Sequence, residues 1–345
     1  IAQFFATPVL GALSDRYGRR PVLLLCILGT AVGYFMFGLA NSLWLLFLSR
    51  IIDGITGGVI ATAQAYIADT STAEERTKNF GLIGAAFGLG FILGPALGGA
   101  LASINLNLPV FFAGTLALLN TVLGYFTLDE SLSPDQRRPF GLSDLNPFKQ
   151  LGALARDTRV RGLVLGFFIF NFAFAGFTSV FAIFLRDRFG WGPALSAGIF
   201  AFIGLVSAAV QGGLIRKLLP AFGEARLAVA GLVFIAAAFG LGALVPADAG
   251  ILLYPTQGLL ALGVGLTIPS LRGLISNRVL ANEQGRVIGG SQSLASLAQV
   301  IGPLWAGWTF DNLGILTPIW SGALWVLVAL ACIVPSLRTT AQRTE

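Results

Sequence analysis

Residues 11–20 read Gly-Ala-Leu-Ser-Asp-Arg-Tyr-Gly-Arg-Arg, a charged and glycine-punctuated segment between two strongly apolar stretches. Only 11% of the chain is charged, whereas 55% is hydrophobic and the mean hydropathy is +0.81. Soluble domains carry about 25% charged residues, so this chain has too little polar surface to face water on every side. The composition therefore indicates a membrane protein, in which so charged a segment is unusual.

Apolar runs long enough to cross a bilayer core of roughly 30 Å recur along nearly the whole chain. Because lipid cannot satisfy backbone polar groups, and because the runs lack the alternation of barrel strands, we expect helices. The first run is too short to cross, which predicts a sequence truncated at its beginning. The predicted spans are 1–13 (partial), 21–40, 42–68, 80–103, 109–128, 162–185, 194–215, 226–245, 251–272, 287–308 and 316–335.

The longest polar interval divides the spans into two sets. It holds a possible amphipathic helix with Phe148, Leu151 and Leu154 on one side. Nearly all basic residues fall on the side of residues 11–20, with only Arg186 and Arg188 opposite, so the positive-inside rule makes that side cytoplasmic. We expect a multi-pass protein of the cell (inner) membrane with a cytoplasmic C-terminus. The predicted parts are an N-terminal helical bundle at 1–128, a cytoplasmic linker at 129–161, a C-terminal helical bundle at 162–336 and a cytoplasmic tail at 337–345.

An internal repeat supports two related halves. Four residues recur at one constant offset, beside a boundary between a loop and a helix, and parallel repeats of six spans characterise one large transporter class. The matching positions are Glu75, Gly81, Gly94 and Pro95 in the first half, and Glu283, Gly289, Gly302 and Pro303 in the second.

Three segments carry a resemblance to a known family. Residues 11–20 resemble the signature loop between spans two and three of the major facilitator superfamily, and residues 90–99 resemble the fifth-span signature of its drug:proton antiporters. The segments 67–99 and 187–191 are similar to the tetracycline efflux group. The resemblance implies an all-α membrane protein with the major facilitator fold, two pseudo-symmetric six-helix bundles that work by alternating access. It also implies that the first helix and most of the second are missing from this chain.

The resemblance gives the signature loop the role of a conformational latch. It implies that Asp15 faces the positive end of the eleventh helix near Ile288, and that Arg19 pairs with Asp69 at the end of the fourth. The counterpart loop of the second half, 212–224, carries bases near where the acid is expected, so we expect a latch in the first half only. The predicted latch residues are Gly11, Asp15, Arg16, Gly18, Arg19, Arg20 and Asp69.

Arg50 and Asp53 lie three residues apart inside a predicted span, and so on one helical face. A charge at mid-span costs about 2.5–3.5 kcal/mol on insertion scales, which makes the pair a candidate for proton coupling. We predict that Asp53 carries the proton and that Arg50 lowers the proton affinity of a neighbouring carboxylate; the alternative is a locally neutralised structural pair. The chain has no histidine, which excludes a histidine relay.

The fifth-span motif predicts an antiporter bend. Small residues at Gly90, Gly94 and Gly98 would let a partner helix approach closely, and Pro95, followed by Gly99, removes a backbone hydrogen bond and permits a bend. In the antiporters that this motif resembles, the bend is thought to seal the protein against leak. The alternative interpretation is ordinary packing of small residues.

The polar inventory for a cargo is small. The candidates for the substrate cavity are Gln64, Asn171, Tyr254 and Gln257, too few for a sugar, which needs many hydrogen-bond partners. Tetracycline efflux proteins typically carry an acid just before the tyrosine of the third span and another in the ninth. Here Gly33 precedes Tyr34 and residues 233–238 are apolar, which argues against tetracycline itself.

The sequence thus predicts a secondary active transporter that exports small amphipathic or lipophilic compounds in exchange for protons. The alternative is a metabolite or sugar transporter of the same fold, as a proton symporter or uniporter. We expect a monomer in the lipid bilayer, with protons and a small amphipathic substrate as partners and with no cofactor, metal or nucleic acid. An enzyme is not expected, because the spans offer neither paired acids nor metal ligands at helical spacing.

Overall fold

The computed structural model describes residues 1–137, 146–280 and 283–341, which are mainly helical. Helices dominate because a helix satisfies its own backbone hydrogen-bonding groups in an apolar environment. The helices are α1 (Ala2–Tyr17), α2 (Arg19–Gly38), α3 (Leu43–Ile55), α4 (Val59–Thr70), α5 (Ala73–Ala102), α6 (Leu108–Thr127), α7 (Pro147–Arg156), α8 (Arg161–Phe189), α9 (Pro193–Ala209), α10 (Ile215–Leu244), α11 (Leu253–Ser276), α12 (Gln284–Leu313) and α13 (Thr317–Ala341).

Seven helical stretches in the described ranges are long and apolar enough to cross a membrane. Two predicted spans merge in this count, and the predicted spans 1–13, 80–103 and 287–308 are not among the seven stretches. The stretch Leu195–Leu244 contains the two merged spans, because α9 runs through a π-helical turn, Val210–Leu214, into α10. The helix α10 is kinked at Gly223, whose φ of 73° lies outside the helical region, so the boundary between the two predicted spans lies at this glycine.

The predicted span 42–68 is broken in the middle. Ser42 caps α3 by accepting a hydrogen bond from the backbone N–H of Leu45, and α3 ends at Ile55. A non-helical turn at 56–58 follows before α4 begins at Val59. The break comes directly after Arg50 and Asp53, and its two glycines leave backbone groups that other residues can reach.

The chain divides into two compact units. One contains residues 1–72, 94–157 and 276–296, and the other contains 73–93, 158–275 and 297–345. These units differ from the two halves of the sequence, because the start of α5 groups with later helices and the start of α12 groups with α1. Each unit therefore holds contacts between segments that are far apart in the chain.

The phenylalanines of α8 are mostly buried within the second unit. Phe177 and Phe181 have ring centroids 4.7 Å apart, and Phe177 also packs on Phe239 at 4.8 Å. Lipid tails are as apolar as these rings, so their stabilising contribution comes from close packing rather than from escape from water. The buried phenylalanines of α8 are Phe167, Phe170, Phe177, Phe181 and Phe184.

Candidate functional site

Asp15 lies at the N-terminus of α12, where backbone N–H groups have no partner within the helix. Its two carboxylate oxygens accept hydrogen bonds from the N–H groups of Gly285, at 3.0 Å, and Arg286, at 2.8 Å. The side chain is only 2% exposed. Burial raises the pKa of the Asp15 carboxyl, while the Arg19 guanidinium and these two N–H groups act in the opposite direction. The first unit thus joins α1 to α12 through a buried acid.

The helices α1 and α12 touch backbone to backbone beside Asp15. A Cβ atom on Gly11 would collide with the carbonyl oxygen of Gly285, and one on Gly289 would lie 3.0 Å from the carbonyl oxygen of Thr7. Only glycine at these positions allows the approach. The short distance brings the N-terminus of α12 within reach of the aspartate.

Arg19 connects Asp15 to the end of α4. Its guanidinium is fully buried and pairs with Asp15 at 2.5 Å and with Asp69 at 2.8 Å. Its Nη1 also donates to the hydroxyl of Ser14 at 2.8 Å. A buried arginine with two acids leaves one net negative charge, which the positive end of α12 offsets.

Glu130, at the start of the linker, is a part of this cluster that the sequence prediction missed. Its carboxylate accepts hydrogen bonds from the N–H groups of Arg19, at 2.8 Å, and Arg20, at 3.3 Å, and so caps the first turn of α2. Gly18 has a φ of 106°, and a Cβ there would collide with the Glu130 carboxylate. The acid is far from α2 in sequence, so no local pattern indicated it.

Two predicted latch residues differ from the rest of the cluster. Arg16 is exposed and has no polar partner among the described residues, because it lies on the outer side of the last turn of α1. Arg20 donates to the carbonyl oxygen of Tyr125 at 2.5 Å and lies 5.3 Å from the centre of its ring. Arg20 therefore attaches α2 to α6, and the structure places neither arginine against α12.

Arg50 and Asp53 border a cavity of about 350 Å³ in the first unit. The guanidinium of Arg50 lies 3.4 Å from Asp53 Oδ2 and packs over the rings of Tyr34, at 5.5 Å, and Phe37, at 4.7 Å. The side chains of Arg50 and Asp53 are 40% and 30% exposed. The pair is loose and accessible, so a proton or a charged group could reach it. The cavity is lined by Ile1, Ala2, Gln3, Thr30, Arg50, Asp53, Gly54, Gly57, Val59 and Ile60.

Gln3 holds the break between α3 and α4 open beside this cavity. Its amide donates to the carbonyl oxygen of Gly57 at 3.0 Å, a carbonyl in the non-helical turn. The sequence prediction did not include Gln3; the signal that could have found it is a polar side chain in the apolar run 1–13.

The glycines of the predicted antiporter bend face open space in the structure. A Cβ on Gly90, Gly94 or Gly98 would meet no described atom within 4 Å. The close contacts of α5 lie earlier, where a Cβ on Gly81 or Gly84 would collide with Gln211. The helix runs through Pro95 and Gly99, whose burial lies outside the described set. The bend itself stays a prediction.

The four predicted cavity residues are divided between the two units. Gln64 is 2% exposed in the first unit, and the other three lie in the second. Asn171 donates to the carbonyl oxygen of Phe167 at 2.7 Å within its own helix. Tyr254 packs against aromatic rings, and Gln257 is 3% exposed with its carbonyl oxygen unpaired among the described residues. Most of these polar side chains are therefore buried in the helix packing or bonded to their own helix.

The linker helix α7 packs on the same two helices that Asp15 joins. The ring of Phe148 meets those of Phe4 and Phe5 on α1 at 6.2 and 5.9 Å. Leu154 is 6% exposed, and its methyl group would lie 3.1 Å from a Cβ on Gly290 of α12. The amphipathic face predicted from the sequence therefore covers the contact between α1 and α12.

Comparison with known proteins is consistent with this geometry. A family model described as Major Facilitator Superfamily matches residues 1–289. The chain is 36% identical to the class C tetracycline resistance protein of Escherichia coli over 98% of this chain and 84% of that protein. It is 30% identical to multidrug resistance protein 2 of Bacillus subtilis over 90% and 78%, respectively. A crystal structure of the human organic anion transporter MFSD10 (TETRAN) superposes with a TM-score of 0.88 at 29% identity, covering 96% of this chain and 81% of that one. The chain belongs to the major facilitator superfamily and resembles its tetracycline efflux transporters.

Proposed function

We propose that the protein is a secondary active transporter that exports small amphipathic or lipophilic compounds in exchange for protons. The observation that carries the proposal is the accessible ion pair of Arg50 and Asp53. The pair lies within a predicted span and lines a cavity. A partly hydrated carboxylate beside a movable cation can gain and lose a proton, whereas a tight buried pair would stay ionised. The tetracycline and multidrug resistance relatives support a drug as the cargo.

The mechanism needs a carboxylate that exchanges its proton for the cargo. When Asp53 is protonated, Arg50 loses its ionic partner and keeps only its contacts with the rings of Tyr34 and Phe37. When Asp53 is ionised, the guanidinium pairs with it, as in the structure. Protonation thus changes the charge of the cavity wall, which links proton movement to cargo binding.

Besides the proton carrier, alternating access needs a contact that forms only when one side of the protein is closed. The buried contact of Asp15 with the N-terminus of α12 supplies it, because the contact exists only while α1 and α12 touch. We assign this contact to the cytoplasmic side, as the positive-inside rule indicates. The latch then controls the conformational equilibrium and leaves cargo choice to the cavity.

The test is Asp53→Asn in liposomes with an imposed pH gradient, with Asp53→Glu as the matched control that keeps a titratable carboxyl. A panel of amphipathic drugs and sugars is offered, and uptake is recorded together with the internal pH. We expect Asp53→Asn to abolish proton coupling and Asp53→Glu to retain it. Coupling that survives in Asp53→Asn, or cargo that moves in the same direction as protons, would contradict the proposal.

A further inference from the structure

The second half of the chain contains its own turn glycine followed by a charged residue. Gly18 and Gly223 both have positive φ angles, 106° and 73°, which glycine adopts without strain. Arg19 follows the first turn and Glu224 follows the second. The counterpart loop therefore does carry an acid, displaced from the position at which the first half has Asp15.

Glu224, which is half-buried, makes a contact with α5. Thr77, in the second turn of α5, is fully buried, and its hydroxyl donates a hydrogen bond to the Glu224 carboxylate. A Cβ on Gly273 of α11 would collide with both of these side chains, so the glycine leaves the space in which they meet. Three helices converge at one hydrogen bond, and all three segments belong to the second unit.

The internal repeat gives this contact a counterpart in the first unit. The internal repeat pairs positions that are 208 residues apart, and it pairs Thr77 with Gly285. The N–H of Gly285 donates to Asp15. Four residues further on, Gly81 packs against the backbone of Gln211, as Gly289 packs against that of Thr7. The two units therefore share one arrangement, in which a donor near the start of a long helix meets an acid from a distant loop.

We propose that Glu224 and Thr77 form a second latch of the transport cycle, an inference that rests on the proposed function. The start of α5 comes from the first half of the sequence and α10 from the second, so this contact must break whenever the two halves separate at this end. Glu224 acts as a positioning residue for α5, and it touches neither cargo nor the proton carrier. The transporter then has two latches of different chemistry, one with an arginine between acids and one with a hydroxyl on an acid.

A double-mutant cycle tests the proposal. Ala85, half-buried on α5 against Gly212, is replaced by cysteine in a protein with Cys26→Ala and Cys332→Ala, and its labelling by a membrane-impermeant maleimide is timed in inside-out vesicles. We expect Thr77→Val to speed labelling about tenfold, the effect of losing one hydrogen bond to a charged group. Thr77→Ser, which keeps the hydroxyl, should label like the parent.

The cycle is completed with Glu224→Ala. We expect the double variant to label no faster than the faster single variant, because both changes remove the same bond. Additive effects, or equal labelling of Thr77→Ser and Thr77→Val, would overturn the proposal. Recovery of each variant as a single peak in detergent serves as the folding control.

The outcome is separable from that of the proposed function. Thr77→Val should change the transport rate while cargo preference and proton stoichiometry stay constant. Coupling that survives in Asp53→Asn would contradict the proposed function without touching the labelling cycle. A changed cargo preference in Thr77→Val would place Thr77 in the binding site and contradict the second latch.

Discussion

Replacement of Asp15 by asparagine removes the negative charge that joins α1 to α12. Asparagine keeps one carbonyl oxygen, which can accept from Gly285 or Arg286 but not from both in the present geometry. Its amide group must then point a donor either at the second N–H or at Arg19, which already donates to this position. In the variant, the buried side-chain N–H of the asparagine therefore faces another N–H donor, with which it cannot form a hydrogen bond. Arg19 keeps Asp69 as its acidic partner.

The magnitude follows from the contacts that are lost. A charge at a helix N-terminus contributes roughly 0.3–2 kcal/mol, and a hydrogen bond to a charged group contributes about 1.5–3 kcal/mol. Because asparagine retains part of the bonding, we expect a net loss of about 2 kcal/mol from the state in which α1 and α12 touch. At 1.4 kcal/mol for each factor of ten, the equilibrium between closed and open contact shifts by roughly 30-fold.

The assay follows a cysteine that the contact hides. Ser293 is fully buried and its hydroxyl donates to the carbonyl oxygen of Phe4, so Ser293→Cys reports on separation of α1 from α12. Asp15→Asn should raise its labelling by an impermeant maleimide roughly 30-fold, and transport should slow without a change in cargo preference. Arg16→Asn, on the exposed neighbour, is the control and should have no effect. Unchanged labelling in Asp15→Asn would refute the reasoning.

Three further changes probe other parts of the fold. Gly18→Ala should lower the free energy of unfolding by more than about 1 kcal/mol, because its φ is positive; denaturant titration measures the loss, and Gly213→Ala, in open space, should match the parent. Leu154→Asp should release α7 and speed amide hydrogen exchange there about tenfold, since a charge cannot stay at a buried apolar position; equal exchange in the control Lys149→Asp, on the exposed face, would contradict the packing seen. Phe177→Ala should cost about 3–5 kcal/mol through the cavity it leaves; an unfolding midpoint equal to the parent's would show that α8 is not part of the core.

Some of the site could be read from residue types and spacing alone. Mid-span charges are rare because they are costly in lipid, so Arg50 and Asp53 stood out, and the structure places them as a pair at 3.4 Å beside a cavity. Helical spacing likewise indicated the apolar face of α7. The surroundings of the predicted cavity residues could not be read in this way. Asn171 bonds its own helix and Gln64 is buried. A polar residue in an apolar span has several possible partners, and the local sequence does not choose among them.

The sequence by itself determined that this chain is a helical membrane protein, because hydropathy acts locally along the chain. Only the tertiary structure decided which distant groups meet. Glu130 caps α2 and Glu224 receives Thr77 through contacts between segments far apart in sequence, which no local pattern encodes. Residues 11–20 illustrate both contributions. Their composition alone identified a charged segment, and the close approach of Gly11 to α12 in the tertiary structure determined what Asp15 binds.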